Sequence, residues 1–180
     1  MELIENTISC ERKYDGKIIS VDLVKIELPN GRQSYREVVR HKNAVGILAR
    51  KADGKFVLVK QYRKAAGAAI VEVIAGGMEA GETPEQSAIR ETSEETGYDV
   101  KNMKFLTTII CTPGYCEERI HLFYAELAEG QHDQHLDFSE NVQPIEYTEA
   151  ELDEAILKGE VFDGKTLSAW ALYKLGVKEH

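Results

Sequence analysis

The segment from Thr83 to Gly97 admits one local structure, and that structure creates a charge conflict that the rest of the chain must resolve. Thr83 is a good capping residue, Pro84 suits the first helical position, Gln86 completes a T-x-x-Q capping box and Gly97 supplies a stop. The spacing therefore predicts a helix from Pro84 to Thr96. Within it Glu91, Glu94 and Glu95 lie three and four residues apart and share one face near the C-terminal end. Like charges at these spacings cost about 0.2–0.5 kcal/mol per pair, and the helix dipole already places partial negative charge there. A cation would remove the conflict. Oxygen ligands clustered without His or Cys suit Mg²⁺, with Mn²⁺ as a substitute. Taken alone, an acidic helix face is more often a solvated surface, so both readings stay open on these residues.

The composition narrows the partners. With 180 residues, 43% hydrophobic and 29% charged, the chain falls in the range of one ordinary globular domain. A net charge of -9 argues against binding nucleic-acid backbone or anionic membrane, so phosphate would be handled through a metal ion. Cys10, Cys111 and Cys116 are odd in number and form no C-x2-C pair, so neither a disulfide framework nor a zinc site is readable. A cytoplasmic location is expected from this. The opening residues carry Glu2 and Glu5 and no long apolar run, unlike a secretory signal or transit peptide, and no stretch is long and apolar enough to span a bilayer.

Along the chain, KIISVDLVKIEL and RQSYREVVR flank Pro29-Asn30-Gly31 and predict a hairpin in a small N-terminal antiparallel β unit over residues 1–42. AVGILAR and KFVLVKQYR, joined across Asp53-Gly54, are nearly unbroken apolar runs and predict strands buried on both faces. Further strands are expected at IVEVI, KFLTTIICT, RIHLFYAEL and VQPIEY. Residues 129–141 read as a solvated loop. Thr148 and Glu151 form a second capping box, opening a helix that Gly159 ends. A last helix, about Lys165 to Leu175, is expected to pack through Leu167, Trp170, Ala171 and Leu175.

The stretch from Gly76 to Tyr98 resembles the Nudix box, G-x5-E-x7-R-E-U-x-E-E-x-G-U with U apolar, at Gly76, Glu82, Arg90, Glu91, Glu94, Glu95 and Gly97. Seven residues at fixed spacing make this specific. Thr92 departs from the aliphatic residue of the pattern, and its hydroxyl then needs a partner such as a carbonyl one turn back. Tyr98 is a milder variation. The resemblance implies an α/β/α sandwich with a mixed sheet, here 43–180. It also implies metal ligands at Glu91, Glu95 and the carbonyl of Ala75, and a third acid, Glu94, that binds a further metal or helps activate water. Arg90 and Glu82 match the ion pair that orients this shell.

Beyond the box, Thr112-Pro113-Gly114-Tyr115-Cys116-Glu117-Glu118-Arg119 resembles the S-P-G-x-x-x-E element of ADP-ribose pyrophosphatases. Val59 to Arg63, Val71 to Gly76, Arg36-Glu37 and Asp163 to Thr166 are similar to that subfamily's landmarks, so the match runs from about Tyr14 to Leu175. Ile74 and Thr112 depart from its usual proline and serine. The resemblance implies that Glu118, with Glu117 as fallback, activates water or completes the metal shell. Gly114 then lies in the substrate loop, Arg63 binds phosphate, and Arg36 and Glu37 contact adenine across a homodimer. The activity implied is Mg²⁺-dependent hydrolysis of ADP-ribose to AMP and ribose 5-phosphate. Alternatives are a hydrolase of GDP-mannose or another nucleoside diphosphate sugar, and a non-catalytic ADP-ribose-binding module. His121, His132 and His135 offer a metal reading, but the loop around His132 and His135 lacks cysteines and periodic structure, so solvated histidines are expected there.

Overall fold

A computed structural model describes residues 3–136, 138 and 141–176; Glu2 and positions 137, 139 and 140 of the expected loop lie outside the described residues. The chain forms two compact units. The first comprises the chain up to Asn43 together with Ile110–Arg119, and the second comprises Ala44–Ile109 and the chain from Ile120 onward. The 110–119 segment thus groups with the N-terminal residues, whereas the division at residue 42 leaves it in the larger part.

In the first unit, β1 (Asn6–Asp15), β2 (Ser20–Glu27) and β3 (Gln33–Arg40) form an antiparallel sheet in that order. The β2–β3 hairpin turns at Gly31, whose φ of 78° is the left-handed conformation that Asn-Gly favours. No strand was expected before Lys17, so β1 is an addition. All ten of its residues are exposed, which leaves no apolar alternation to read. What ties it down is polar: Asp22 on β2, 5% exposed, accepts from Arg12 of β1 and from Arg40 of β3 at 2.8 Å. These two guanidiniums, Arg12 foremost, hold the Asp22 carboxyl at about 2. The 110–119 segment is stitched along β3, with Val39 N–H donating to Tyr115 O (2.7 Å) and Glu117 N–H to Val39 O (3.2 Å).

The second unit is the expected α/β/α sandwich. Its mixed sheet runs β10 (Val142–Tyr147), β5 (Phe56–Arg63), β4 (Ala44–Arg50), β9 (Ile120–Leu127), β8 (Val100–Ile109), with β6 (Ala68–Glu72) on β5 and β7 (Ile74–Gly77) on β4. Among the described residues of this sheet, only β4 and β9 pair in parallel. Strand β4 explains the layering: Val45, Ile47 and Ala49 enter the cluster that also holds Ala88 of α1 (Pro84–Thr96), whereas Leu48 enters the cluster built on α2 (Glu149–Leu157) and α3 (Gly164–Gly176). Each fully buried aliphatic side chain contributes about 1.5–3 kcal/mol, so covering both faces drives assembly. Gly46 makes room for Leu122 here, because a Cβ would lie 2.8 Å from Leu122 Cδ2 and that buried side chain would have to shift.

Three expectations need correction. IVEVI is not one strand: the chain breaks at Val73, whose N–H donates to Thr166 Oγ1 (2.8 Å), so β6 pairs with β5 and β7 crosses to β4. The strand expected at 104–112 starts earlier and stops at Ile109, following its ladder with β9. Helix α3 buries Thr166, Ala169, Trp170 and Tyr173, while Leu167 is half-buried and Ala171 and Leu175 are exposed. The rotated face follows from packing, since Trp170 and Tyr173 meet Phe56 edge-on at 5.0 and 5.1 Å. Among the described residues no helix is long and apolar enough to cross a membrane.

Candidate active site

Helix α1 starts as the sequence predicts. Thr83 Oγ1 accepts from Gln86 N–H (3.2 Å) and the Gln86 side chain accepts from Thr83 N–H (2.9 Å). Buried Thr92 donates its hydroxyl to Ala88 O at 2.8 Å, one turn back, which answers the departure from the box pattern. The helix is held against β7 and turns its acids to that strand's backbone.

Arg90 is the hub. Its Nε and Nη2 grip Glu82 at 2.8 and 3.0 Å, Nη1 reaches Glu91 at 2.8 Å and Glu94 at 2.9 Å, and Nη2 also donates to Gly77 O at 3.2 Å. Arg90 chiefly, with the Glu79 N–H (2.9 Å), lowers the Glu82 carboxyl to about 2. Glu91 and Glu95 are 7% and 2% exposed. A Cβ on Gly76 would fall 2.0 Å from the Glu91 carboxyl carbon, so the glycine makes the seat for that carboxylate. Ala75 N–H donates to Glu95 Oε2 at 3.3 Å.

Three box carboxylates share one guanidinium, and Glu95 lies buried one turn from Glu91. This surplus of negative oxygen at a helix C-terminus fits a hard divalent cation. Among the described residues no three acidic, histidine or cysteine side chains converge to hold an ion by themselves. Backbone, water or phosphate oxygens would have to complete the shell, which is how Mg²⁺ is usually held.

The loop read as solvated has a structural task at this helix end. His135 N–H donates to Glu94 O (3.0 Å), Gln134 Nε2 to Glu95 O, Gln131 Nε2 to Thr96 O (2.8 Å) and His132 N–H to Gly97 O (2.8 Å). The C-terminal carbonyls that a helix leaves unpaired are thereby satisfied in succession. The His132 and His135 side chains are themselves exposed, as expected, and His121 pairs with Thr108 across β8–β9 at 2.9 Å. No sequence signal marked the clamp, because it is made by backbone and amide groups in an aperiodic segment.

Arg63 of β5 directs Nε to Glu72 Oε2 at 2.7 Å; Glu72, 2% exposed, also takes Lys165, which reaches Asp163 at 3.1 Å. Glu72 and Lys165 were seen as landmarks only, and the fold makes them the anchor of Arg63.

In the first unit, Glu117 and Glu118 part company. Glu117 is bound to Arg40 Nη1 at 2.5 Å, whereas Glu118 Oε1 faces His41 Nδ1 at 3.1 Å. His41 was not anticipated. Gly114 is exposed in the turn where Cys116 N–H bonds Thr112 O (2.9 Å). Beside this turn is a cleft of about 530 Å³ lined by His41, Pro113, Glu117 and Arg119. Arg36 forks onto Glu5 at 2.5 and 3.1 Å, and its neighbour Glu37 stands on the opposite face of β3. The structure thus does not bring Arg36 and Glu37 to one surface.

A model of the NUDIX domain matches residues 40–170. The ADP-ribose pyrophosphatase of Bacillus subtilis (strain 168) is 41% identical over 178 residues, 98% of this chain and 95% of its own length. The methanol dehydrogenase activator of Bacillus methanolicus is 40% identical over 166 residues, 92% of this chain and 90% of its own. A crystal structure of an ADP compounds hydrolase has the same fold, with a TM-score of 0.86 at 19% identity over 99% of this chain and 97% of that one.

Proposed function

This chain belongs to the Nudix family, and we propose that it hydrolyses the diphosphate of ADP-ribose, adding water to yield AMP and ribose 5-phosphate with a divalent cation, Mg²⁺ or in its place Mn²⁺. The observation that carries this reading is the seat at Gly76. Backbone there is bare so that the buried Glu91 carboxylate can lie against it, next to Glu95 and the Ala75 amide. A surface acid row would need no such accommodation.

Glu91, Glu95 and the Ala75 carbonyl would hold the cation, with Glu94 at its edge. When bound, the ion supplies neutralisation of charge on the diphosphate and a more acidic water. Arg90, kept charged and pinned by Glu82, orients Glu91 and Glu94. Arg63, with Nε fixed on Glu72, offers its Nη edge to phosphate oxygens. Glu118 takes the proton of the attacking water; Glu117 is less suited because Arg40 holds it. Gly114 lies in the substrate loop, and Arg36 or Glu37 reads adenine. We also propose a homodimer formed through the N-terminal unit, which exposes Leu3, Ile4, Ile8, Tyr14, Ile18 and Tyr35.

The test is AMP release from ADP-ribose by purified protein. Activity should vanish with chelator, return with Mg²⁺, and fall at least about a hundredfold in Glu95→Gln with unchanged circular dichroism. Comparable activity in Glu95→Gln would refute the metal assignment, and faster turnover of GDP-mannose would refute the substrate. The likeness to a dehydrogenase activator favours a second reading, in which hydrolysis of a nucleotide serves another enzyme. Stimulation of methanol dehydrogenase by wild type but not by Glu95→Gln would support it.

A further inference from the structure

About half of the described cations of this acidic chain hold carboxylates. Five arginines are half-buried, and Arg36, Arg40, Arg63 and Arg90 each grip an acid. Arg50, the fifth, makes no direct ion pair among the described residues, and the Glu149 carboxylate acts on it only from beyond contact distance. Its Nε donates to Gly54 O at 3.2 Å, its guanidinium stands 5.7 Å from the centroid of the Phe56 ring, and the Tyr124 hydroxyl lies beside it. Its planar fork, half-buried and not taken up by a direct ion pair, suits an oxyanion.

Arg50 lines a cleft of about 280 Å³ together with Gly54, Lys101, Tyr124, Glu126 and Leu127. Lys101 also pairs with no carboxylate among the described residues. The one acid of this wall, Glu126, accepts from Asn102 Nδ2 at 2.8 Å and keeps its charge, and Lys51, also on the wall, pairs with Glu146 at 2.6 Å. The cleft therefore presents the Arg50 guanidinium, the Lys101 and Lys51 ammoniums and the Tyr124 phenol against the single carboxylate of Glu126, an excess of positive charge in a chain whose net charge is -9.

We propose that this cleft binds a phosphate-class oxyanion, inorganic phosphate or a phosphomonoester, through Arg50, Lys101 and Tyr124. The site is separate from the Nudix helix. Strand β4 pairs through Ala44 with Gly77, next to the Glu91 seat, and reaches Arg50 six residues later, about 20 Å away at the rise of a strand. Occupancy at one end therefore leaves the other end open.

The experiment is a ¹⁵N chemical-shift titration of the full chain, with chelator present so that no bound cation takes up phosphate. One arm uses inorganic phosphate and the other ribose 5-phosphate. Saturable shifts at the amides of Ala52, Gly54 and Lys101 are expected, with Kd of about 1 mM or tighter in the preferred arm. Lys101→Ala should weaken binding at least about tenfold while leaving hydrolysis of ADP-ribose unchanged. Arg50→Gln should do the same to binding; if it does not fold, because Arg50 covers Phe56, Lys101→Ala decides. The arm that saturates first identifies the ligand. Absence of saturable shifts in both arms, shifts confined to α1, or undiminished binding by Lys101→Ala would overturn the proposal.

Discussion

Gly97 closes α1 at φ 71°, and a Cβ placed there would lie 2.1 Å from the carbonyl oxygen of His132. Two costs can be separated by two substitutions. A left-handed backbone costs Ala about 1–2 kcal/mol and costs Asn less, because Asn visits that region routinely. The collision with the loop is common to both, since both carry a Cβ. If the loop retreats, it gives up the four bonds that His135, Gln134, Gln131 and His132 donate to the end of α1. At about 0.5–1.5 kcal/mol net for each, that loss is about 2–6 kcal/mol. Gly97→Asn should therefore destabilise by about 2 kcal/mol or more, and Gly97→Ala by about 1 kcal/mol beyond that. Urea unfolding followed by tryptophan fluorescence measures both, and for a chain of this length the Asn variant should melt about 4–8 °C lower. A Gly97→Asn protein within about 0.5 kcal/mol of wild type would refute the close approach of the loop and reduce Gly97 to a matter of φ alone.

Glu118→Gln should lower kcat by about 10² or more with KM nearly unchanged, and Glu117→Gln should not, because Arg40 holds that carboxylate at 2.5 Å. The reverse pattern in steady-state kinetics moves the role to Glu117, and no effect in either moves it to Glu94. The Glu82 carboxyl is lowered from 4.5 to about 2, so its contribution to stability is complete above about pH 4.5 and is lost as the pH falls through about 2. In acid unfolding, Glu82→Gln should remove that dependence, and an unaltered acid limb would contradict the Arg90–Glu82 pairing. Mixing an Arg36→Ala, Glu37→Ala chain with a Glu95→Gln chain should restore roughly a quarter of wild-type activity if sites are shared between subunits. No recovery despite proven exchange would exclude the shared site.

Features that depend on a few neighbouring residues were readable without coordinates. Thr83, Pro84, Gln86 and Gly97 bound α1 because a capping box and a left-handed stop are made within one turn of the helix they delimit. The three-acid face follows from the 3.6-residue period, and the double burial of β4 follows from its unbroken apolar run. The α3 stripe was misread because apolar spacing gives a helix but not the azimuth at which Phe56 and Val73 meet it.

The sequence by itself therefore determined the local elements and the inventory of acids, since these rest on short-range stereochemistry and periodicity. Tertiary structure alone decided how the acids are used. It set Gly76 against Glu91, separated Glu117 from Glu118 through Arg40 and His41, anchored Arg63 on Glu72, and laid residues 131–135 across the end of α1. Each of these joins residues far apart in the chain, and their pairing depends on the packing of both sheet faces rather than on any local preference.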